Sequence, residues 1–114
     1  MNCTATVRRS GGVSIIDLAG RITHSAGADA IREAIKAELE HGRKNILLNL
    51  NAVDYIDSSG PGELAGAFIT VARLGGSMKL LNAQPRANSL LQVTGLYNVF
   101  VTFAEEHAAL ASFA

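Results

Sequence analysis

Apolar and polar residues follow two rhythms along this chain, one repeating every two residues and one close to every 3.6. Cys3 to Arg8 alternates loosely and contains Thr4, Thr6 and Val7, which suits an edge strand. Gly11-Gly12 signals a tight turn. In Val13 to Leu18, Val13, Ile15 and Asp17 share one face, and Ile16 and Leu18 share the other. The two segments read as an antiparallel hairpin, with Gly20 expected to end its second strand. Ser25 is the expected N-cap of a helix from Ala26 to His41. Ala30, Ile31, Ala34, Ile35 and Leu39 form its apolar stripe, with Arg32, Glu33, Lys36 and Glu40 away from it. Lys36 and Glu40 are expected to pair at (i, i+4) spacing, and Gly42 stops the helix.

Asn45 to Leu50 is a short, nearly continuous apolar run and reads as a strand buried on both faces. Asn51 to Ser59 reads as a loop anchored by Tyr55 and Ile56. A second helix is expected from Pro61 to Leu74, since proline at the first helical position lacks only a hydrogen that has no helical acceptor. Its buried stripe is Leu64, Phe68, Val71 and Ala72, and Ala67, Ile69 and Thr70 form its outer face. Met78 to Leu81 is a strand. Pro85 opens a third helix with Leu90, Leu91 and Val93 facing inward and Gly95 as its stop. Val99 to Phe103 is a last strand, and Glu105 to Phe113 a last helix with acidic residues where the helix dipole favours them. After the hairpin, strands and helices alternate. That order predicts an α/β fold whose mixed sheet has parallel strands joined by right-handed crossovers.

At 114 residues the chain has room for one domain spanning residues 1–114. Hydrophobic residues make up 48%, which excludes a disordered chain. Ten basic and ten acidic residues cancel, so no nucleic-acid footprint is present, and Arg8-Arg9 and Arg43-Lys44 read as solvated pairs. Cys3 is the only cysteine, so it can form neither an internal disulfide nor a thiolate zinc site. No leader pattern and no apolar run of transmembrane length occurs, so a cytoplasmic protein without membrane insertion is expected.

The chemistry concentrates at Asp57-Ser58-Ser59-Gly60-Pro61-Gly62, between a buried strand and a helix. In open α/β sheets function gathers where strands end and helices begin. A helix N-terminus with free N–H groups favours a negative group such as phosphate. Plain N-capping accounts for one serine here, and the second hydroxyl is surplus to it. Nucleophilic catalysis fits poorly: the Gly-x-Ser-x-Gly elbow is absent, and of His24, His41 and His107 only His24 could approach Ser58. Asp54 and Asp57 lie in a loop with little room for a catalytic pocket, and no metal-ligand spacing occurs. Gly60-x-Gly62-x-x-Ala65 matches a loose dinucleotide fingerprint, but no acidic residue stands near position 82 to hold a ribose hydroxyl. The residues imply no catalytic group, cofactor or metal.

The same loop resembles the signature of bacterial anti-sigma-factor antagonists, the STAS family. Leu18-Ala19-Gly20-Arg21-Ile22, the stretch from Ile46 through Ile56-Asp57, Arg73-Leu74-Gly75-Gly76, Leu80 to Asn82 and Leu90 to Tyr97 each resemble a family segment, in order along nearly the whole chain. The resemblance implies a STAS-like fold and a non-enzymatic partner switch. The unmodified protein would bind an anti-sigma factor that is also a serine kinase. That kinase would phosphorylate Ser58, and a serine phosphatase would reset it. Asp57 would orient Ser58 or meet a basic group on the partner. Ser59 would cap or hydrogen-bond nearby, and His24, Gly60, Pro61 and Gly62 would complete the partner surface. Pro61 departs from the apolar residue usual at that position in the family. A STAS scaffold in a stress-signalling assembly or a lipid-transport ATPase complex is the alternative, and the outer face of the second helix could instead be buried in a homodimer.

Overall fold

The computed structural model describes residues 3–23, 27–82, 85–93, 95 and 100–113. Strand β1 (Cys3–Ser10) turns at Gly11 and Gly12 into β2 (Val13–Ile22). Both glycines have positive φ, 55° and 85°, as a two-residue hairpin turn requires. There follow α1 (Ala28–Glu40), β3 (Asn45–Ile56), α2 (Gly60–Arg73), β4 (Ser77–Leu81), α3 (Pro85–Val93), β5 (Thr102–Phe103) and α4 (Glu106–Ala111). The sheet order is β1-β2-β3-β4-β5, antiparallel between β1 and β2 and parallel thereafter. The mixed α/β fold expected from the alternation is therefore present.

Period-two alternation divides the sheet into two apolar faces. Ile16, Leu18, Ile46, Leu48, Leu50 and Leu80 face one way and pack with Ile31 and Ile35 of α1, Leu64, Ala67 and Val71 of α2, and Leu91 of α3. Val13, Ile15, Leu47 and Leu81 face the other way under Ala109 of α4. Strand β3 is buried on both faces over Ile46–Leu48, as its unbroken apolar run predicts.

Several boundaries differ from expectation. Gly20 does not end β2. At φ 108° it absorbs a register shift against β3, and the strand runs on to Ile22. The expected loop from Asn51 is strand as far as Ile56, because pairing with Ala19 to Ile22 outweighs the weak strand preference of Asn51 and Asp54. Tyr55 is not a buried anchor but 38% exposed, whereas Ile56 is buried. Helix α1 starts at Ala28 with Gly27 as its cap, at φ 98°. A Cβ at Gly27 would stand 3.1 Å from Arg21 O and from Ile22 Cα, so the close approach selects glycine. The predicted cap Ser25 and helix start Ala26 lie outside the described residues.

In α2 the buried stripe is Leu64, Ala67 and Val71, so Ala67 is buried and Ala72 exposed, the reverse of the assignment from sequence. Spacings of three and four residues keep Ala67 in line with Leu64 and Val71. Val93 is 84% exposed, because it sits two helical steps, about 200°, from buried Leu91. Lys36 and Glu40 form no ion pair among the described residues. The last strand is only Thr102–Phe103 within the described residues, and Val99 lies outside them. Helix α4 begins at Glu106, and the carboxylate of Glu105 caps it by accepting the N–H groups of His107 and Ala108.

Candidate functional site

Strand β3 ends at Ile56, and the sheet hands over to helix α2 through Asp57, Ser58 and Ser59. The Asp57 N–H donates to Ile22 O at 3.1 Å, which extends the β2–β3 pairing by one residue and fixes the loop's entry. Its exit is fixed by Gly60 N–H to Asp57 O at 3.0 Å and Glu63 N–H to Ser59 O at 3.1 Å. Asp57 Oδ1 accepts both the N–H of Ser59, at 2.9 Å, and the Ser59 hydroxyl. Ser59 occupies the cap position of α2 in a helical conformation and makes no side-chain capping bond, because its hydroxyl is spent on Asp57.

The two serines thus differ. Ser59 is half-buried and tied to Asp57. Ser58 is exposed, and its hydroxyl makes no hydrogen bond among the described residues. Capping accounts for neither hydroxyl. Asp57 holds Ser59 and with it the turn on which Ser58 rides.

Behind the loop, Gly60 and Pro61 are buried and Gly62 is exposed. A Cβ at Gly60 would stand 2.5 Å from Ile56 Cδ1, so the first turn of α2 rests directly on Ile56. Pro61 sits at the start of the helix, where its missing N–H leaves nothing unsatisfied. Its burial makes it part of the floor of the loop rather than of its outer surface. Glu63, in the first turn, is bound by Arg32 of α1 at 3.1 Å, and Arg32 also holds Asp29. His24 lies outside the described residues. His41 is at the C-terminal end of α1, its Nδ1 2.8 Å from Ala37 O, and His107 is on α4. Strand order runs from β1 to β5 without reversing, so the described strands form no switch-point crevice for a dinucleotide. Among the described residues no three His, Cys, Asp or Glu side chains group as metal ligands. The Cys3 thiol is buried, and burial pushes its pKa up against the opposing effect of a backbone hydrogen bond from Ala19, which makes it a poor nucleophile.

Two features were not legible in the sequence. Glu38 of α1 is buried and receives Arg9 through two nitrogens at 3.0 and 3.1 Å, Ser14 Oγ at 2.6 Å and Arg43 at 3.4 Å. Burial pushes its pKa up, but these hydrogen bonds and the charges of Arg9 and Arg43 outweigh burial, and the net shift is downward. Beside the loop, the guanidinium of Arg21 lies 4.3 Å from the ring centroid of Tyr55. Each arrangement joins residues distant in sequence, and no local spacing announces them.

The family model of the STAS domain matches residues 4–109, so this chain belongs to the STAS domain family. It is 27% identical over 111 residues to the anti-sigma F factor antagonist of Paenibacillus polymyxa, covering 96% of this chain and 94% of that one. It is 32% identical over 99 residues to the anti-sigma-B factor antagonist of Bacillus subtilis (strain 168), covering 87% and 89%. The structure of the Bacillus cell fate determinant SpoIIAA in the phosphorylated form superimposes with a TM-score of 0.71 at 25% identity, covering 96% of this chain and 99% of that one. No helix among the described residues is long and apolar enough to cross a membrane.

Proposed function

We propose that this chain is an anti-sigma factor antagonist that works as a phosphorylation switch, with Ser58 as the acceptor. Unmodified, it binds an anti-sigma factor that is also a serine kinase. The kinase transfers the terminal phosphoryl group of ATP to Ser58: the Oγ–P bond forms, the bridging P–O bond breaks, ADP leaves, and the hydroxyl proton passes to a base of the kinase. A serine phosphatase restores the hydroxyl. The observation that carries this reading is the contrast within the pair, where Ser59 is locked on Asp57 and Ser58 is exposed with an unbonded hydroxyl. The named relatives and the phosphorylated structural neighbour support it.

The charge balance favours release on phosphorylation. Phosphate adds about −1.5 to −2 charges, whereas the α2 N-terminus offers only about +0.5. Asp57 stands beside it, and Glu63 is already matched by Arg32. The modified loop therefore carries excess negative charge in a surface that must desolvate to dock. Asp57, Ser59 and Gly62 form the surround of that surface in this reading, over a floor of Gly60 and Pro61, and the family resemblance adds His24 to the partner contacts.

Intact-mass and phosphopeptide mapping of protein recovered from its native host, beside capture by Ser58→Ala and Ser58→Asp chains, tests the proposal. One phosphate on Ser58, with a kinase-like partner retained by Ser58→Ala and lost by Ser58→Asp, is the expected result. An unmodified chain whose partners ignore both substitutions would replace it with the scaffold reading, in a stress-signalling assembly or a transport ATPase complex.

A further inference from the structure

Arg21 and Tyr55 face each other across β2 and β3, one step before the Ile22–Ile56 pair that carries the serine loop. Ile22 and Ile56 point into the core. Strand alternation therefore turns Arg21 and Tyr55 to the opposite face of the sheet. Among the described residues, the buried cluster that α4 forms with that face holds Val13, Ile15, Leu47 and Leu81, toward the other end of the strands. Arg21 is left half-buried and Tyr55 exposed.

Arg8, Arg9, Arg32 and Arg43 each hold a carboxylate. Arg21 makes no ion pair among the described residues, although Asp54 adjoins Tyr55 in the chain and Asp57 lies two residues beyond it. It is nevertheless held, by stacking on the Tyr55 ring. A stacked guanidinium has given up part of its rotamer freedom and the hydration of one face, while the N–H groups along its edge can still grip a planar carboxylate with two bonds. Arginine and tyrosine in this state are the residue types that dominate binding energy at protein interfaces.

We infer that Arg21, held on Tyr55, is a docking residue that takes a carboxylate side chain of the anti-sigma factor at the rim of the surface centred on Ser58. The inference rests on the partner-switch reading and deepens it. An acidic element of the partner drawn to Arg21 is the element that a phosphate on Ser58 repels, so one contact provides both the attraction of the unmodified state and the release of the modified one.

The probe is the purified protein that Ser58→Ala captures from the native host, titrated against variants whose melting temperatures match the native chain. Arg21→Gln should weaken binding about tenfold or more, and Arg21→Glu further. Arg21→Lys, which keeps the charge but not the fork or the stack, should recover only part of the loss. Tyr55→Phe keeps the ring and should bind normally. The deficit of Arg21→Gln should shrink as salt rises. If Arg21→Gln and Arg21→Glu bind like the native chain while Ser58→Asp does not, the inference is overturned and the switch stands. If Ser58→Asp also binds like the native chain, the switch and the inference fall together.

Discussion

Gly60→Ala would place a Cβ within contact distance of Ile56 Cγ1, 2.5 Å from Ile56 Cδ1 and 3.6 Å from Ile22 Cγ2. Ile56 is only 3% exposed, so either its side chain leaves its rotamer or the first turn of α2 lifts. Overpacking of this kind costs about 1–3 kcal/mol. Alanine returns at most about 1 kcal/mol of helix propensity, and less than that in a first turn. The net expectation is a loss of about 1–2 kcal/mol, read as a lower urea midpoint with an unchanged slope. Gly62→Ala is the matched control two residues on. Its Cβ would meet nothing within 4 Å, so propensity alone acts and stability should hold or rise by up to about 1 kcal/mol. Because Ile56 also anchors the serine loop, Gly60→Ala should slow phosphorylation of Ser58 while Gly62→Ala leaves the fold around it intact. A Gly60→Ala chain at least as stable as the native one, with the same slope, would refute the packing argument.

Glu38→Gln removes the charge that Arg9 and Arg43 converge on and should cost about 1.5–3 kcal/mol by chemical denaturation. The folded pKa of Glu38 lies below its ordinary 4.5, so its contribution is complete above that value and is lost as pH falls through the folded one; the variant should lose that part of the acid dependence. Arg8 bridges Asp17 on β2 and Glu106 on α4, and their shared hydrogen bonds lower both carboxyl pKa values. Since these groups are partly exposed, Arg8→Gln should change global stability by less than about 1 kcal/mol while raising amide exchange in α4 and leaving α1 unchanged. Asp57→Ala frees the Ser59 hydroxyl and loosens the turn, so the rate at which a cognate kinase modifies Ser58 should fall with little change in melting temperature; an unchanged rate would show that the turn does not depend on Asp57.

Much of the architecture was legible because local and global signals agree. Gly11-Gly12 marks the hairpin, the alternation in Val13–Leu18 assigns both faces of β2, and the apolar run Ile46–Leu48 marks a strand covered on both sides. What failed was set by distant partners. Gly20 looks like a terminator but lies within the strand, opposite a bulge of β3 at Asp54, because Arg21 and Ile22 still find Tyr55 and Ile56 on β3. Asn51 and Asp54 look like loop residues, yet β3 runs through them because their neighbours pair with Ala19 to Ile22. A period of 3.6 locates a stripe but not its centre, so Ala67 and Ala72 exchanged places. At the site, the serine pair and its helix start were readable from order alone. The division of labour between Ser58 and Ser59 was not, because it depends on which hydroxyl Asp57 reaches. The Arg21–Tyr55 stack and the Glu38 cluster depend wholly on register between elements.

The most direct test of the switch is the intact mass of the native chain and of Ser58→Ala after incubation with the retained kinase partner, ATP and magnesium, with complex formation followed in the same samples. The account predicts one added phosphoryl group on the native chain and dissociation of its complex, while Ser58→Ala gains none and stays bound. A phosphoryl group that still appears on Ser58→Ala, or a native complex that survives full modification, would contradict it.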